Sequence, residues 1–175
     1  MTGQVLSEDQ VQFLRSHHTA VMATVDDDGY PHLVPVGCAL IDGQLWSSGR
    51  EDRVRTRYLR RRPRATLTVQ PIRTPEHPGH TPHRRPGHRG EWVSVHGPVT
   101  IKADDPAGDN LRLYQAIVGS LPDDVDEYAR SMVRERRIIY VLTPIRAYGP
   151  SWRRRTPATD RDVAAPVRFG REGPP

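Results

Sequence analysis

The alternation of apolar and polar residues changes period several times along the chain, and each change marks an element. Ser7 and Gln10 stand at capping-box spacing ahead of Val11, Phe13 and Leu14, which predicts a short amphipathic helix over roughly 8–16. Residues 20–25 (Ala-Val-Met-Ala-Thr-Val) are apolar and β-branched, and Asp26-Asp-Asp-Gly29 behind them reads as a hairpin turn whose Gly takes a positive φ. A strand over 32–41, a second Asp-Gly turn at 42–43 and a third strand over 44–48 complete an antiparallel meander. From Glu51 to Arg61 the apolar positions Val54, Tyr58 and Leu59 switch to helical spacing, and Pro63 ends the helix.

Residues 65–69 and 92–101 alternate as strands, with Pro98 placing the second at an edge or a bulge. Between them, residues 71–90 hold five Pro, four His, four Arg and three Gly, with Ile72 as the one large apolar residue. Such a segment has no core face to bury and predicts a mobile loop. Asp104 or Asp105 caps a helix running to about Val118, with Leu111, Tyr114 and Val118 as its core stripe and Leu113 and Ile117 beside it. A further helix near 123–134 carries Val125, Tyr128, Met132 and Val133, and 138–142 (Ile-Ile-Tyr-Val-Leu) is a buried strand that continues past Pro144 to Tyr148. Six strands with few long connections predict a mainly β, α+β fold, a six-stranded antiparallel barrel, closed or nearly so, with peripheral helices. The domain spans 1–149, and the Arg/Pro/Gly-rich residues 150–175 read as a tail.

Composition narrows the class. With 35% hydrophobic residues in 175, the chain supports one core. No apolar run approaches the ~18–20 residues of a membrane span, and residues 1–10 lack a basic stretch followed by an apolar one, so neither a span nor a secretory signal is expected. The single cysteine, Cys38, excludes an internal disulfide framework and fits a reducing cytoplasm.

The net charge of +5 is carried almost wholly by Arg, since Lys102 is the one Lys among 26 basic residues. Eight of these Arg (50, 53, 55, 57, 60, 61, 62 and 64) crowd the segment 49–65 against Glu51 and Asp52, so an anionic partner is expected there. The segment leaves a strand, turns at Gly49 and enters a helix. Unsatisfied N–H groups at a helix start suit a phosphate, and Arg53 and Arg55 fall in or beside that first turn with Ser48 supplying a hydroxyl. Arg57, Arg60, Arg61 and Arg62 fit a solvated helix face instead.

Four stretches then align with one family: residues 31–36 (Pro-His-Leu-Val-Pro-Val), 53–65 (Arg-Val-Arg-Thr-Arg-Tyr-Leu-Arg-Arg-Arg-Pro-Arg-Ala), 92–97 (Trp-Val-Ser-Val-His-Gly) and 128–139 (Tyr-Ala-Arg-Ser-Met-Val-Arg-Glu-Arg-Arg-Ile-Ile). In this order over about 20–149 the chain resembles the split β-barrel, pyridoxamine-phosphate-oxidase-like proteins, and in particular the branch that uses the deazaflavin coenzyme F420. The resemblance implies a homodimer with two cofactor pockets at the subunit interface. It also implies a cofactor phosphate held by Arg53 and Arg55, and a ring lying along Pro35, Val36 and Ser48. Arg50, Arg57 and Trp92 extend the candidate cofactor-binding set. The family pattern carries Lys at Arg55, Asn at Tyr58 and Gln at His32, so the contacts of the last two are open.

The resemblance further implies hydride transfer to an unsaturated or oxidised small organic acceptor, with the coenzyme supplying the chemistry. No Ser-His-Asp order with supporting spacing and no HExxH stands in the chain, which leaves His32, Tyr58 or water for proton delivery. FMN in place of deazaflavin is the alternative cofactor. A non-catalytic module binding nucleic acid through the Arg helix and Arg153–Arg155 is the rival class, weakened by having only Tyr58 and Trp152 as aromatic platforms. A haem-binding barrel or cofactor carrier is a third reading, without a nominated axial ligand. No metal site is expected: the prolines between His77, His80, His83 and His88 deny the element that would fix ligand geometry. His17-His18 read as a helix end, His96 and Trp46 as structural, Cys38 as a small apolar filler, and Trp92 as either packing or pocket lining.

Overall fold

The computed structural model describes residues 5–71 and 91–149. Most of residues 71–90 and all of 150–175 lie outside the described residues, so the loop and tail readings, the His77–His88 question and the Arg153–Arg155 contact are left there.

Helix α1 (Glu8–Ser16) starts on the capping box expected for it: Ser7 accepts from the Gln10 amide and the Gln10 side chain returns to the Ser7 amide. The chain then builds β1 (Thr19–Val25), β2 (Pro31–Gly37), β3 (Ala39–Ile41), β4 (Gln44–Arg50), α2 (Val54–Arg61), β5 (Arg64–Val69), β6 (Val93–Lys102), α3 (Pro106–Val118), α4 (Val125–Arg134), β7 (Arg137–Leu142) and β8 (Arg146–Tyr148). Every ladder is antiparallel, in the order β2-β1-β5-β6-β7-β4-β3 with β8 added on β6. The sheet curls into a split barrel, and β2 meets β4 through Ser47 Oγ donating to the Gly37 carbonyl at 2.8 Å.

Among the described residues there are eight strands rather than six, because two expected strands are broken in two. The run 32–41 divides after Gly37, where Cys38 turns away to bond the His18 carbonyl, so β2 pairs β1 while β3 pairs β4. The expected three-stranded meander is therefore two hairpins at opposite ends of the sheet. The run 138–148 likewise splits, and β8 crosses over to pair β6. Pro98 is not on an edge strand: it stands where β6 leaves its ladder with β5 and begins its ladder with β7, a corner where no amide is needed. Gly97 beside it admits the Thr143 carbonyl into space that a Cβ would fill.

The barrel interior holds Leu14, Met22, Leu45, Leu59, Leu67 and Tyr140, and a second cluster of Ile41, Trp46, Leu113, Ile139 and Val141 lies outside the sheet beneath α3. β7 is covered on both faces, which is why it reads as an unbroken apolar run. The buried residues of α3 are Asn110 and Leu113, with Ile117 partly buried against the same cluster; of the expected stripe Leu111 and Tyr114 are only half-buried and Val118 is exposed, as is Val133 on α4. Buried Asn110 is tolerated because Ser48 Oγ donates to its Oδ1 at 2.5 Å and its amide donates to the Pro106 carbonyl at 2.8 Å.

Candidate active site

β4 runs out at Arg50, a short turn follows, and α2 begins at Val54 with Arg53 as a cap residue whose side chain makes no capping bond. Of the first-turn amides, that of Thr56 donates to the Arg53 carbonyl at 2.9 Å, while those of Val54 and Arg55 have no acceptor and no acidic residue lies in the turn, so this end of α2 is electropositive. Thr56 anchors it from below, its hydroxyl donating to the Arg50 carbonyl at 2.9 Å and meeting the buried Tyr140 hydroxyl at 2.6 Å.

A cleft of about 280 Å³ opens in front of this helix start, lined by Arg50, Arg53, Arg55 and Arg137 with His32 and Val34 from β2, and no carboxylate among the described residues lines it. Arg50 Nε, Arg55 Nε and His32 Nδ1 are buried here with no hydrogen-bond partner. Buried polar atoms are normally satisfied, so three orphans on one cleft mark a place for a ligand. Arg55 is held by one donation to the Ser48 carbonyl at 3.3 Å and by the Tyr140 ring, 5.4 Å from its guanidinium carbon. His32 meets the Tyr58 ring edge-on at 5.5 Å.

Arg50 of the cleft pairs with Asp52 at 3.1 Å, and three further arginines of the run are engaged within the fold. Arg60 pairs with Glu51 at 2.8 Å, Arg61 with Asp27, and Arg62 donates to the Asp26 carbonyl at 2.6 Å, so α2 is tied to the turn before it and to the β1–β2 hairpin turn. These bonds hold the Glu51 carboxyl below its ordinary range, through Arg60 first and then Arg136, and that of Asp27 through Arg61. Arg57 stacks over Tyr58, outside the cleft.

A second cleft, about 320 Å³, lies between β4 and the helix pair α3–α4, with Ser48, Asn110, Tyr114, Tyr128, Met132 and Arg137 among its walls. Tyr114 and Tyr128 meet at 5.2 Å with their planes 61° apart. Arg137, opposite Arg50 in the β4–β7 ladder, borders both clefts.

Of the residues singled out from sequence, Arg50, Arg53, Arg55 and His32 come together in the first cleft and Ser48 in the second. Pro35 faces outward, Val36 points into the barrel core, and Trp92 stands half-exposed ahead of β6; none of the three lines either cleft. Cys38 is fully buried and its thiol is pushed up to about 12, an inert filler. Arg137, Asn110 and Tyr128 were not visible as site residues. Arg137 is one of four arginines within 130–137, and only the β4–β7 register separates it from the rest.

A curled antiparallel split barrel with an arginine-lined cleft at a strand-to-helix turn defines the class. The sequence profile of the pyridoxamine 5'-phosphate oxidase family matches residues 6–149, and the chain belongs to that family. Among solved structures, a conserved hypothetical protein from Mycobacterium tuberculosis is 22% identical, with 85% of this chain and 87% of that one covered at a TM-score of 0.62. An F420 reductase is also 22% identical, covering 82% of this chain and 98% of its own at a TM-score of 0.57. The haem storage protein HutZ of Vibrio cholerae is 12% identical over 82% of this chain and 94% of its own, at a TM-score of 0.58. At these identities the likeness is one of fold. No helix among the described residues is long and apolar enough to cross a membrane.

Proposed function

We infer that the protein is a cytoplasmic, homodimeric oxidoreductase that binds the deazaflavin coenzyme F420 and passes hydride to an unsaturated or oxidised small organic acceptor. The observation that carries this is the trio of unpartnered buried nitrogens on Arg50, Arg55 and His32, three residues that line one cleft at an uncapped helix start. These groups are cationic or able to donate, and they fit a phosphate. Arg53, Arg55 and the first-turn amides of α2 would hold it. The reduced coenzyme supplies the hydride, so the chain's residues need only bind, orient and exclude water. The coenzyme's acidic tail suits Arg53 and Arg57, which pair with no carboxylate among the described residues. The F420 reductase among the structural neighbours agrees with this reading. The nucleic-acid reading loses ground, because Arg60, Arg61 and Arg62 are engaged in bonds within the fold.

The second copy of the chain is assigned to the outer face of β1–β2. There Leu33, 59% exposed, sits opposite Ala23, and the exposed Pro35 sits opposite Val21, leaving an apolar strip on a sheet face.

Titration with purified coenzyme F420 tests the reading. Quenching of coenzyme fluorescence and a raised unfolding temperature are expected, and Arg53→Gln combined with Arg55→Gln should weaken binding at least about a hundredfold. No response at saturating coenzyme would overturn it. A protein that purifies yellow with bound FMN would replace deazaflavin by FMN in the same cleft.

A further inference from the structure

We propose that the second cleft is the acceptor site, that it takes a flat, largely apolar molecule bearing a carboxylate, and that Arg137 holds that carboxylate. The proposal rests on the oxidoreductase reading above and adds a substrate class to it.

The cleft's size, about 320 Å³, suits a body of one or two rings. Leu113, Ile117 and Met132 give it apolar walls, and the edge-to-face pair Tyr114–Tyr128 gives it an aromatic one, surfaces on which a flat molecule packs well. Its polar floor is self-satisfied: the Ser48 hydroxyl is spent on Asn110 and the Asn110 amide on Pro106. One charge remains at the rim. Among the described residues, Arg137 is the single ionised side chain lining the cleft, and no carboxylate lines it.

Arg137 is also prepared for such a partner. Glu135 accepts from its Nε at 2.9 Å, with one terminal nitrogen 2.9 Å from the same carboxylate oxygen, which fixes the orientation of the guanidinium while leaving other N–H groups of the five for a further partner. An acid group at the mouth would take those.

Position supplies the link to chemistry. Hydride moves only between atoms about 3–3.5 Å apart, so an acceptor has to sit in space that adjoins the coenzyme. The two clefts share Arg137 as a lining residue, and Ser48 of the second accepts through its carbonyl from Arg55 of the first. The acceptor gains a hydride at its unsaturated carbon and a solvent proton at the neighbouring atom, and the same two electrons leave the reduced coenzyme oxidised.

The test compares 2-naphthoate with its neutral isostere 2-naphthamide by equilibrium dialysis on the full chain, alongside the coenzyme titration. The acid should bind about tenfold more tightly than the amide, the worth of one charge-assisted hydrogen bond. Arg137→Gln should erase that preference and Arg53→Gln should leave it. Equal binding of acid and amide by a protein that binds coenzyme overturns this inference alone. So does a preference that survives Arg137→Gln or disappears with Arg53→Gln, which would put the acid in the first cleft. An unresponsive coenzyme titration instead overturns the oxidoreductase reading, and the acceptor role with it, whatever naphthoate does.

Discussion

Gly49 is the residue on which the geometry of the first cleft turns. It lies one position before Arg50, and a Cβ there would enter the space of the Tyr140 ring and hydroxyl, which are almost completely buried and tied to Thr56. Tyr140 in turn supports the Arg55 guanidinium. Gly49→Ala therefore overpacks a site that has no slack, and a loss of about 2 kcal/mol is expected in urea unfolding. Because ring and Cβ compete for one volume, Gly49→Ala and Tyr140→Leu together should cost less than the sum of the two alone. Additive costs would mean that the ring is not what excludes a side chain at Gly49. The sequence placed a turn at Gly49, whereas the structure keeps it within β4 and turns after Arg50; nor was its partner ninety-one residues away legible, since only the β4–β7 register brings Gly49 opposite Ile138 and beside Tyr140.

At the scale of the element, α2 trades stability for binding. Its neighbours start on side-chain caps, with Asp105 accepting from Gly108 N and Asp124 from Glu127 N, both at 2.8 Å. Arg53 at the same position of α2 provides none. Arg53→Ser should therefore supply the missing bond and raise unfolding free energy by about 0.5–1 kcal/mol, while coenzyme binding weakens. Unchanged binding in a stabilised Arg53→Ser protein would remove Arg53 from the site. The helices were the most readable elements, because caps and period are local signals: Ser7, Asp105 and Asp124 stand where the helices begin. Strand division was hidden. Nothing local marks the break after Gly37, which follows from β2 and β3 pairing different partners. The α3 stripe was misread because hydrophobicity alone chose Leu111, Tyr114 and Val118, whereas Asn110 gains its buried place from Ser48, sixty-two residues away in sequence.

For the whole molecule, the surface carboxylates set the response to acid. Asp27, Glu51 and Glu127 are each held below their ordinary values of 3.8 and 4.5, chiefly by hydrogen bonds from Arg61, Arg60 and Arg130. A lowered folded-state value contributes stability that is complete above the unfolded value and is lost as pH falls through the folded one. The urea midpoint should accordingly be level down to about pH 4.5 and decline below it, and the decline should shrink in high salt, which screens exposed pairs. A midpoint that stays level to pH 3 would show that these pairs contribute nothing. Association is the other property of the whole. If the strip on β1–β2 receives a second copy, a charge placed there must be desolvated against apolar surface on both sides of a two-fold interface, so each substitution acts twice. Leu33→Glu should then give a monomer by sedimentation while Leu33→Met remains a dimer. Helical content should stay intact, since Leu33 packs in neither core cluster. A Leu33→Glu protein that still sediments as a dimer would move the interface elsewhere. Coenzyme affinity measured on the monomer then separates the two parts of the functional reading: a site shared between subunits loses affinity on dissociation, and a cleft complete within one chain, as Arg50, Arg53, Arg55 and His32 are arranged, retains it.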